Sequence, residues 1–226
     1  MPSPRLSVVV PAFNEARILE AHLKQLAAQL SARAESFEIL ARLGDQVRAL
    51  RHAKNRGKGA AVRTGALAAR GERIVFLDAD LSTDLACLEP LLAALDAGAE
   101  VALGSRRVPG AAIAQRQPPA REFMGRVFSR LARLLIASEV LDFTCGFKGF
   151  RREAAQAIFS RARVERWAFD AEVVAIARAR GLKLVQVPVR WRHCGGSKVR
   201  VFGAAAGSLL ALLGIFSRRL LGSYRA

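Results

Sequence analysis

Acidic, aromatic and cysteine residues are scarce in this 226-residue chain, and each scarcity narrows the possible functions. Only 19 Asp and Glu stand against 36 Lys and Arg, so the formal net charge is +17 and an anionic partner is indicated. Aromatic residues make up 7% of the chain, with a single Tyr, which argues against nucleic acid as that partner. The three cysteines have no CxxC spacing, which favours a reduced compartment over a disulfide framework.

The size of the chain predicts one domain, with a separate apolar segment near its end. At 52% hydrophobic residues, 226 residues can bury a full core. The first apolar run leads directly into polar residues, so we predict no secretory leader. Residues 201–216 carry no charge and are followed by Arg218 and Arg219. This run is shorter than the roughly twenty residues that span a bilayer, so we expect a helix that lies on a membrane or packs on the domain.

Two acidic residues directly follow a run that is typical of a buried strand. Residues 73–77 read RIVFL, and Asp78 and Asp80 come next, separated by Ala79. Open α/β sheets bind ligands at the carboxyl ends of their strands. Carboxylate oxygens suit Mg²⁺ or Mn²⁺ bridging to a diphosphate, so the pair predicts a metal site. Two solvated acids at a strand-to-turn junction are the alternative.

Strand and helix patterns alternate along the first half of the chain. Strands are predicted at 6–10, 37–40, 47–50, 73–77 and 100–103, and helices at 16–32, 60–69 and 85–97. The alternation predicts an α/β fold with a mostly parallel sheet. Only residues 41–46 separate the second and third strands, which is too few for a parallel crossover. Either one of the two is not a strand, or they form an irregular hairpin, or part of the usual unit is absent; we predict the last, a shortened first βαβ unit.

The second half has a different pattern. Loops are predicted at 109–121 and 142–150, helices at 123–141 and 152–160 and after Trp167, and an edge strand at 182–191, since that run contains a proline. The helix at 123–141 carries three arginines, which favours an anionic membrane surface as a partner.

Seven motifs occur in a fixed order over residues 6–200. They are SVVVPAFNE, NRGKGAAVRTG, FLDADLSTD, GSR, DFTCGFKGFRR, WAFDAE and VPVRW followed by GGSKV. The chain resembles the family 2 glycosyltransferases, specifically the dolichyl- or polyprenyl-phosphate glucosyl- and mannosyltransferases. The resemblance implies a GT-A fold over residues 1–200, with 201–226 as a membrane-associating or packing helix. It also implies a nucleotide-sugar donor, a lipid-linked phosphate acceptor and a peripheral location at the cytoplasmic face of the cell membrane.

The resemblance also implies roles for individual residues. Asp78 and Asp80 would hold Mg²⁺ or Mn²⁺, with Asp80 and Arg106 as the catalytic residues. The residues implied to bind the donor are Pro11, Phe13, Glu15, Lys58, Asp78 and Ala79, and those implied to bind phosphate are Arg121, Arg192 and Lys198. Guanidinium groups suit this task because they bind phosphate through paired hydrogen bonds. Lys58 lies in a turn at the N-terminus of the helix predicted at 60–69, where anions bind readily; a solvated surface charge is the alternative for each of these cations.

The chain departs from the family pattern after its second predicted strand. Relatives carry an acidic D-D-G-S-x-D-G-T segment there, whereas FEIL in this chain runs directly into ARLG. Without the carboxylate that reads the nucleotide base, donor binding is predicted to be weakened. Ser82 stands where several mannosyl-transferring relatives have Gln, which favours UDP-glucose over GDP-mannose.

The predicted activity is transfer of a hexose from a nucleotide sugar to a polyprenyl phosphate. Two alternatives stay open at this point: a glycosyltransferase acting on a soluble glycan precursor, and a non-catalytic membrane-associated domain. Nucleic-acid binding through the +17 charge is a third reading, which a steep salt dependence without sugar turnover would mark.

Overall fold

The computed structural model describes residues 4–13, 15–33, 35–40, 50, 52–194 and 201–225. In chain order its elements are β1 (Leu6–Val9), α1 (Ala16–Ser31), β2 (Phe37–Leu40), α2 (Lys58–Ala68), β3 (Arg73–Leu77), a 3₁₀ turn (Leu85–Cys87), α3 (Leu88–Asp96), β4 (Val101–Ser105), β5 (Ala112–Gln115), α4 (Pro119–Leu135), β6 (Phe147–Arg151), α5 (Arg152–Phe159), α6 (Phe169–Ala179), β7 (Leu184–Pro188), β8 (Arg190–Arg192) and α7 (Val201–Leu220).

Six of these strands form the central sheet, in the order β2-β1-β3-β6-β4-β7. Strand β6 runs antiparallel to both of its neighbours, and the other pairings are parallel. The mostly parallel α/β prediction is confirmed. The unit β1-α1-β2 has a full helical crossover, as parallel pairing requires. The predicted shortening at 41–46, and most of the strand predicted at 47–50, lie outside the described residues.

Apolar residues on both faces of the sheet build the core. In β3, Ile74 and Phe76 face one cluster, and Val75 and Leu77 face the other, because successive strand side chains point to opposite faces. Helices α2, α5 and α6 contribute to the first cluster, and α1 and α3 to the second. Helices therefore cover both faces, and the strand ends remain available at the edge of the sheet.

Three predictions for the second half were wrong in detail. Residues 109–121, predicted as a loop, contain β5 and the first turn of α4. Residues 142–150 contain most of β6, a buried central strand. Its sequence includes a glycine and a lysine, which are untypical of a buried strand, and it was therefore predicted as a loop. The strand predicted at 182–191 divides into β7, which ends at Pro188, and β8, which pairs with β5 instead.

Helix α7 packs against α6 and α4 through one face only. Leu212 and Ile215 are fully buried in the core, whereas Leu210 is 71% exposed. Just beyond the helix, Tyr224 is buried and its hydroxyl donates to Glu172 Oε1 at 2.8 Å. Within the described part of the chain, no helix combines the length and the apolar character that crossing a bilayer requires.

Candidate functional site

The residues after β3 form a short loop whose backbone is fixed from several sides. The Asp78 N–H donates to the Gly146 carbonyl at 3.0 Å, and His22 Nδ1 donates to the Ala79 carbonyl at 2.7 Å. Asp80 Oδ1 accepts the Ser82 N–H at 3.0 Å. Leu81 lies in the left-handed region with φ of +48°, a conformation that a branched residue keeps only when its surroundings impose it. The two carboxylates are thus held in a defined place.

Gly146 leaves the space that the Asp78 carboxylate occupies. A Cβ atom at position 146 would lie 1.9 Å from Asp78 Oδ2 and 2.4 Å from Asp78 Cγ. No side chain larger than hydrogen fits there while Asp78 keeps this position. The first glycine of the DFTCGFKGF motif, Gly146, is therefore explained by its contact with Asp78, which lies 68 residues earlier in the chain.

Lys58, the first residue of α2, points into the same site. Its Nζ lies 2.5 Å from Asp78 Oδ1 and is enclosed by the rings of Phe76, Trp167 and Phe169, with centroids at 5.6 to 5.8 Å. Burial opposes its charge, but the carboxylates of Asp78 and then Asp170 outweigh that effect and raise the pKa of Lys58. The ammonium is charged and paired with one of the two predicted metal ligands.

Arg106, which follows β4, is held by a buried carboxylate. Its Nε and Nη2 donate to the two oxygens of Asp142 at 2.7 and 2.9 Å, and Nη2 also donates to Thr144 Oγ1 at 2.8 Å. The guanidinium lies over the Trp191 ring at 5.3 Å. Burial disfavours the carboxylate, but the charge and hydrogen bonds of Arg106 prevail and hold the pKa of Asp142 well below its usual range. The pair fixes the orientation of the arginine.

A second lysine and aspartate lie beneath the site. Lys148, in the middle of β6, is fully buried, and its Nζ donates to Asp170 Oδ1 at 2.5 Å and to the Cys145 carbonyl at 2.6 Å. Both Lys148 and Lys58 contact the Phe76 ring. A buried charge needs this degree of pairing to be tolerated. The pair joins β6 to the first turn of α6 directly below the loop after β3.

These groups form the floor of a cleft of about 440 Å³, which is within the size range of small-molecule sites. The floor is lined by Lys58, Asp78, Asp80, Ser82, Arg106, Thr144, Gly146 and Asp170. One wall is mainly apolar and comes from α4 and α7; it is lined by Arg121, Met124, Gly125, Val127, Phe128, Leu131, Ala206, Ser208 and Leu209. Trp167, Trp191 and His193 add an aromatic rim. The cleft therefore joins a charged end to an apolar end.

The donor set on the floor fits a hard divalent cation that binds with a substrate. Asp78 and Asp80 both present carboxylate oxygens to the cleft. Among the described residues, no cluster of three or more His, Cys, Asp or Glu is arranged to hold a metal without help. Mg²⁺ is commonly bound by one or two carboxylates together with substrate phosphates. The arrangement suits that mode and not an all-protein cage.

Comparison with protein families assigns this chain to a family. Residues 7–159 match the model of the family described as glycosyl transferase family 2. The chain belongs to this family. It is a glycosyltransferase, and the sequence-based resemblance is confirmed.

Curated relatives of this family 2 glycosyltransferase are similar over most of its length. It is 36% identical to the dolichyl-phosphate beta-glucosyltransferase ALG5C of Trichomonas vaginalis, over 86% of this chain and 66% of that protein. It is 34% identical to the dolichyl-phosphate beta-glucosyltransferase of Drosophila melanogaster, over 99% of this chain and 78% of that protein. The second match extends over 255 positions against 226 residues here, so at least 29 positions of that relative face a gap in this chain.

Solved structures support the fold. Glucosyl-3-phosphoglycerate synthase from Mycobacterium tuberculosis, in complex with uridine diphosphate, superposes with a TM-score of 0.69 at 19% identity, over 95% of this chain and 80% of that one. The same enzyme with Mn²⁺, UDP-glucose and phosphoglyceric acid gives a TM-score of 0.68 at 18% identity, over 95% and 80% of the two chains. The GT-A-like architecture of the glycosyltransferase is thereby confirmed.

The structure brings together part of the predicted set of site residues. Lys58, Asp78, Asp80, Arg106 and Arg121 line the cleft. Ala79 lies between the two aspartates and is buried, with its carbonyl bound to His22. Parallel pairing of Val9 with Phe76 places Pro11, Phe13 and Glu15 at the same edge of the sheet, but they do not line the cleft. The side chain of Arg192 is exposed outside the lining, and Lys198 lies outside the described residues.

Sequence reasoning missed the residues that support these groups. Asp142 orients Arg106, Gly146 makes room for Asp78, and Lys148 pairs with Asp170. Asp142, Gly146 and Lys148 all lie in the motif DFTCGFKGF, which we predicted to be a loop. Its dense pattern of Asp, Gly and Lys was the available signal.

Proposed function

We propose that this glycosyltransferase transfers glucose from UDP-glucose to a polyprenyl phosphate at the cytoplasmic face of the membrane. One observation carries the proposal: a single cleft joins a floor of carboxylates and cations to an apolar wall. A nucleotide sugar needs the charged end, and a lipid-linked phosphate needs both ends. The proposal also draws on the relatives, which are named as dolichyl-phosphate beta-glucosyltransferases.

The floor is proposed to hold the donor diphosphate. Asp78 and Asp80 would hold Mg²⁺ or Mn²⁺, with Asp80 as the more direct ligand because Lys58 already occupies Asp78. When bound, such an ion neutralises the negative charge that develops on the departing diphosphate. Lys58 and Arg106 add positive charge beside it. Pro11, Phe13, Glu15 and Ala79 are proposed to position the donor from the neighbouring strand end.

The acceptor phosphate is proposed to attack without a general base. One of its oxygens forms a bond to the sugar C1 as the bond from C1 to the diphosphate oxygen breaks, and no proton has to be removed from the anion. Cations are needed to bring two anions together, and both Arg106 and Arg121 line the cleft. Arg192 and Lys198 are proposed to complete the phosphate site. Guanidinium groups bind such oxygens in pairs.

The apolar wall is proposed to hold the lipid chain next to the phosphate. Met124, Phe128 and Leu131 of α4 and Leu209 of α7 line this end of the cleft. An isoprenoid buries apolar area here and gains about 25 cal/mol for each Å² removed from water. A soluble glycan would gain nothing from this wall, so the lipid acceptor is favoured. Residues 1–200 would thus form the catalytic unit, with 201–226 completing its acceptor wall.

The outer faces of the same helices are proposed to contact an anionic membrane. On α4, Phe123, Arg126, Arg130, Arg133 and Leu134 are exposed at helical spacing. On α7 and just after it, the exposed apolar residues are Leu210, Leu213, Leu220 and Leu221. A basic and apolar face of this kind suits a membrane surface, where each Lys or Arg contributes about 1 kcal/mol.

Turnover with defined substrates tests the proposed reaction. The wild-type protein is expected to transfer glucose from UDP-glucose to a short polyprenyl phosphate, with slower transfer from GDP-mannose and none to a soluble sugar phosphate. Asp80→Asn should lower the rate of transfer by about 10²–10³, whereas Asp84→Asn, at an acidic residue outside the cleft, should retain it. Transfer to the soluble acceptor at the same rate would reject the lipid-phosphate assignment.

Vesicle binding tests the proposed membrane face. Replacing Arg126, Arg130 and Arg133 by Gln should lower partition onto anionic vesicles by roughly a hundredfold, at about 1 kcal/mol per residue. Replacing Lys24, Lys54 and Lys183 by Gln removes the same charge from exposed positions on neither helix, and should have little effect. If both variants lose vesicle binding equally, the binding depends on the net charge of the protein and not on the α4 face.

Donor affinity tests the consequence of the shortened segment. We propose that the absence of the acidic segment after β2 weakens nucleotide binding. Calorimetric titration with UDP should give a weaker affinity for this chain than for a relative that carries the segment. Equal affinities would show that the missing segment does not weaken nucleotide binding.

A further inference from the structure

The charged groups on the cleft floor are paired in an uneven way. Two of the three acidic side chains on the floor each contact one cation: Asp170 contacts Lys148, and Asp78 contacts Lys58. Arg106 is paired with Asp142, which is buried and does not line the cleft. Asp80 makes no ion pair with any described residue and accepts only the Ser82 N–H. The floor thus has one carboxylate, Asp80, that has no ion-pair partner among the described residues and is attracted by the Lys58 ammonium without contacting it. Next to it lies Asp78, whose one cationic partner is the flexible side chain of Lys58.

Lys58 differs from the other two cations in how it is held. Arg106 is fixed by three side-chain hydrogen bonds to two residues, and Lys148 by two carbonyls in addition to Asp170. For the Lys58 ammonium, the contacts among the described residues are the Asp78 carboxylate and the faces of three aromatic rings. Its side chain is 14% exposed. A lysine has four rotatable carbon–carbon bonds in its stem, so this ammonium can leave Asp78 when another anion takes it.

A cation beside Asp78 acts against a metal ion at the same place. An ammonium and a divalent ion within a few ångströms repel each other strongly in a partly buried site. Metal binding at Asp78 also requires that its bond to Lys58 be broken. A donor diphosphate reverses both effects, since it supplies an anion for the ammonium and oxygens for the metal.

We infer that Lys58 is an internal cation that occupies the metal-site carboxylate until the nucleotide arrives. In the nucleotide-free protein it compensates Asp78 and keeps the affinity for free metal low. When the diphosphate binds, the ammonium moves from Asp78 to the phosphate oxygens, which frees the Asp78 carboxylate to hold a metal ion. The inference rests on the proposed metal role of Asp78 and Asp80. It predicts that one lysine has opposite effects on metal binding and on nucleotide binding.

Binding of Mn²⁺ alone, followed by electron paramagnetic resonance of the free ion, tests the inference. Lys58→Met should bind Mn²⁺ without nucleotide at least about tenfold more tightly than the wild type, and should bind UDP more weakly. Lys58→Gln should behave likewise, and the unfolding curve of each variant shows that it is folded. Lys54→Met removes the same charge from an exposed position outside the cleft and should leave both affinities unchanged.

The outcomes separate this inference from the proposed function. Tighter Mn²⁺ binding together with weaker UDP binding, in the Lys58 variants only, supports it. If the wild type binds Mn²⁺ in the presence of UDP but the variants bind Mn²⁺ alone no better than the wild type, the inference is overturned and the proposed metal site stands. If no protein binds Mn²⁺ even with UDP, the metal role of the two aspartates is overturned and the inference with it.

Discussion

Gly146→Ala is expected to damage the cleft while leaving the fold intact. The added Cβ would lie 1.9 Å from Asp78 Oδ2, and real Cβ contacts essentially never fall below 3.0 Å. The carboxylate must therefore move by at least about 1.1 Å. Gly146 is not among the glycines with positive φ, so alanine can adopt its backbone conformation. The expected damage is thus confined to the position of Asp78 and its contact with Lys58.

A displacement of this size should be visible in catalysis and small in stability. A misplacement of about 1 Å can cost roughly a hundredfold in rate, so we expect kcat/KM for sugar transfer to fall by about that factor. The free energy of unfolding should change by about 1 kcal/mol or less, because the Asp78 side chain is 35% exposed. Gly207→Ala is the matched control: it lies in α7 with open space around its Cβ position, and should leave both quantities nearly unchanged.

A double mutant decides whether Asp78 carries the effect. If the added methyl group acts only by displacing Asp78, Gly146→Ala should cost nothing more in a protein that already carries Asp78→Ala. The two mutations would then be strongly non-additive, as expected for residues in contact. Additive losses in kcat/KM, or full activity of Gly146→Ala, would refute the reasoning about this contact.

The remaining predictions concern stability and charge. Tyr224→Phe removes a buried hydroxyl that donates to Glu172 and accepts from Arg218, and should cost about 1–3 kcal/mol in urea unfolding; Ser223→Ala, at an exposed position, should stay within about 0.5 kcal/mol. The pKa of Asp142 is lower in the folded than in the unfolded protein, so its contribution to stability is present above about pH 4 and is lost as the pH falls further; the slope of unfolding free energy against pH in this range should decrease in Asp142→Asn. Asp80→Asn should lower kcat by about 10²–10³ with little change in the unfolding midpoint, because an asparagine oxygen can still accept the Ser82 N–H.

The loop after β3 could be predicted because its signal is local. An arginine followed by four apolar residues, two of them β-branched, determines the buried strand β3, and the strand end determines where Asp78 and Asp80 lie. Lys58 and Arg106 are also adjacent to predicted element ends, so their place in the cleft follows from the fold class. These features need no knowledge of which distant residues meet.

The supporting residues could not be predicted because their roles depend on distant contacts. Strand β6 contains a fully buried lysine, Lys148, which is tolerated because Asp170 in α6 compensates the charge. Likewise, Glu172 is buried because Tyr224 and Arg218 from the end of the chain reach it. Strand β5 is exposed along its whole length, so it has no apolar pattern, and it forms only because β8 lies beside it.

A structure of the protein with UDP and Mg²⁺ bound tests the central claim most directly. The account predicts that the diphosphate lies on the cleft floor, with Mg²⁺ about 2.1 Å from a carboxylate oxygen of Asp80 and the apolar wall of α4 and α7 open beside it. A diphosphate bound elsewhere, or a metal ion with no ligand from Asp78 or Asp80, would contradict it.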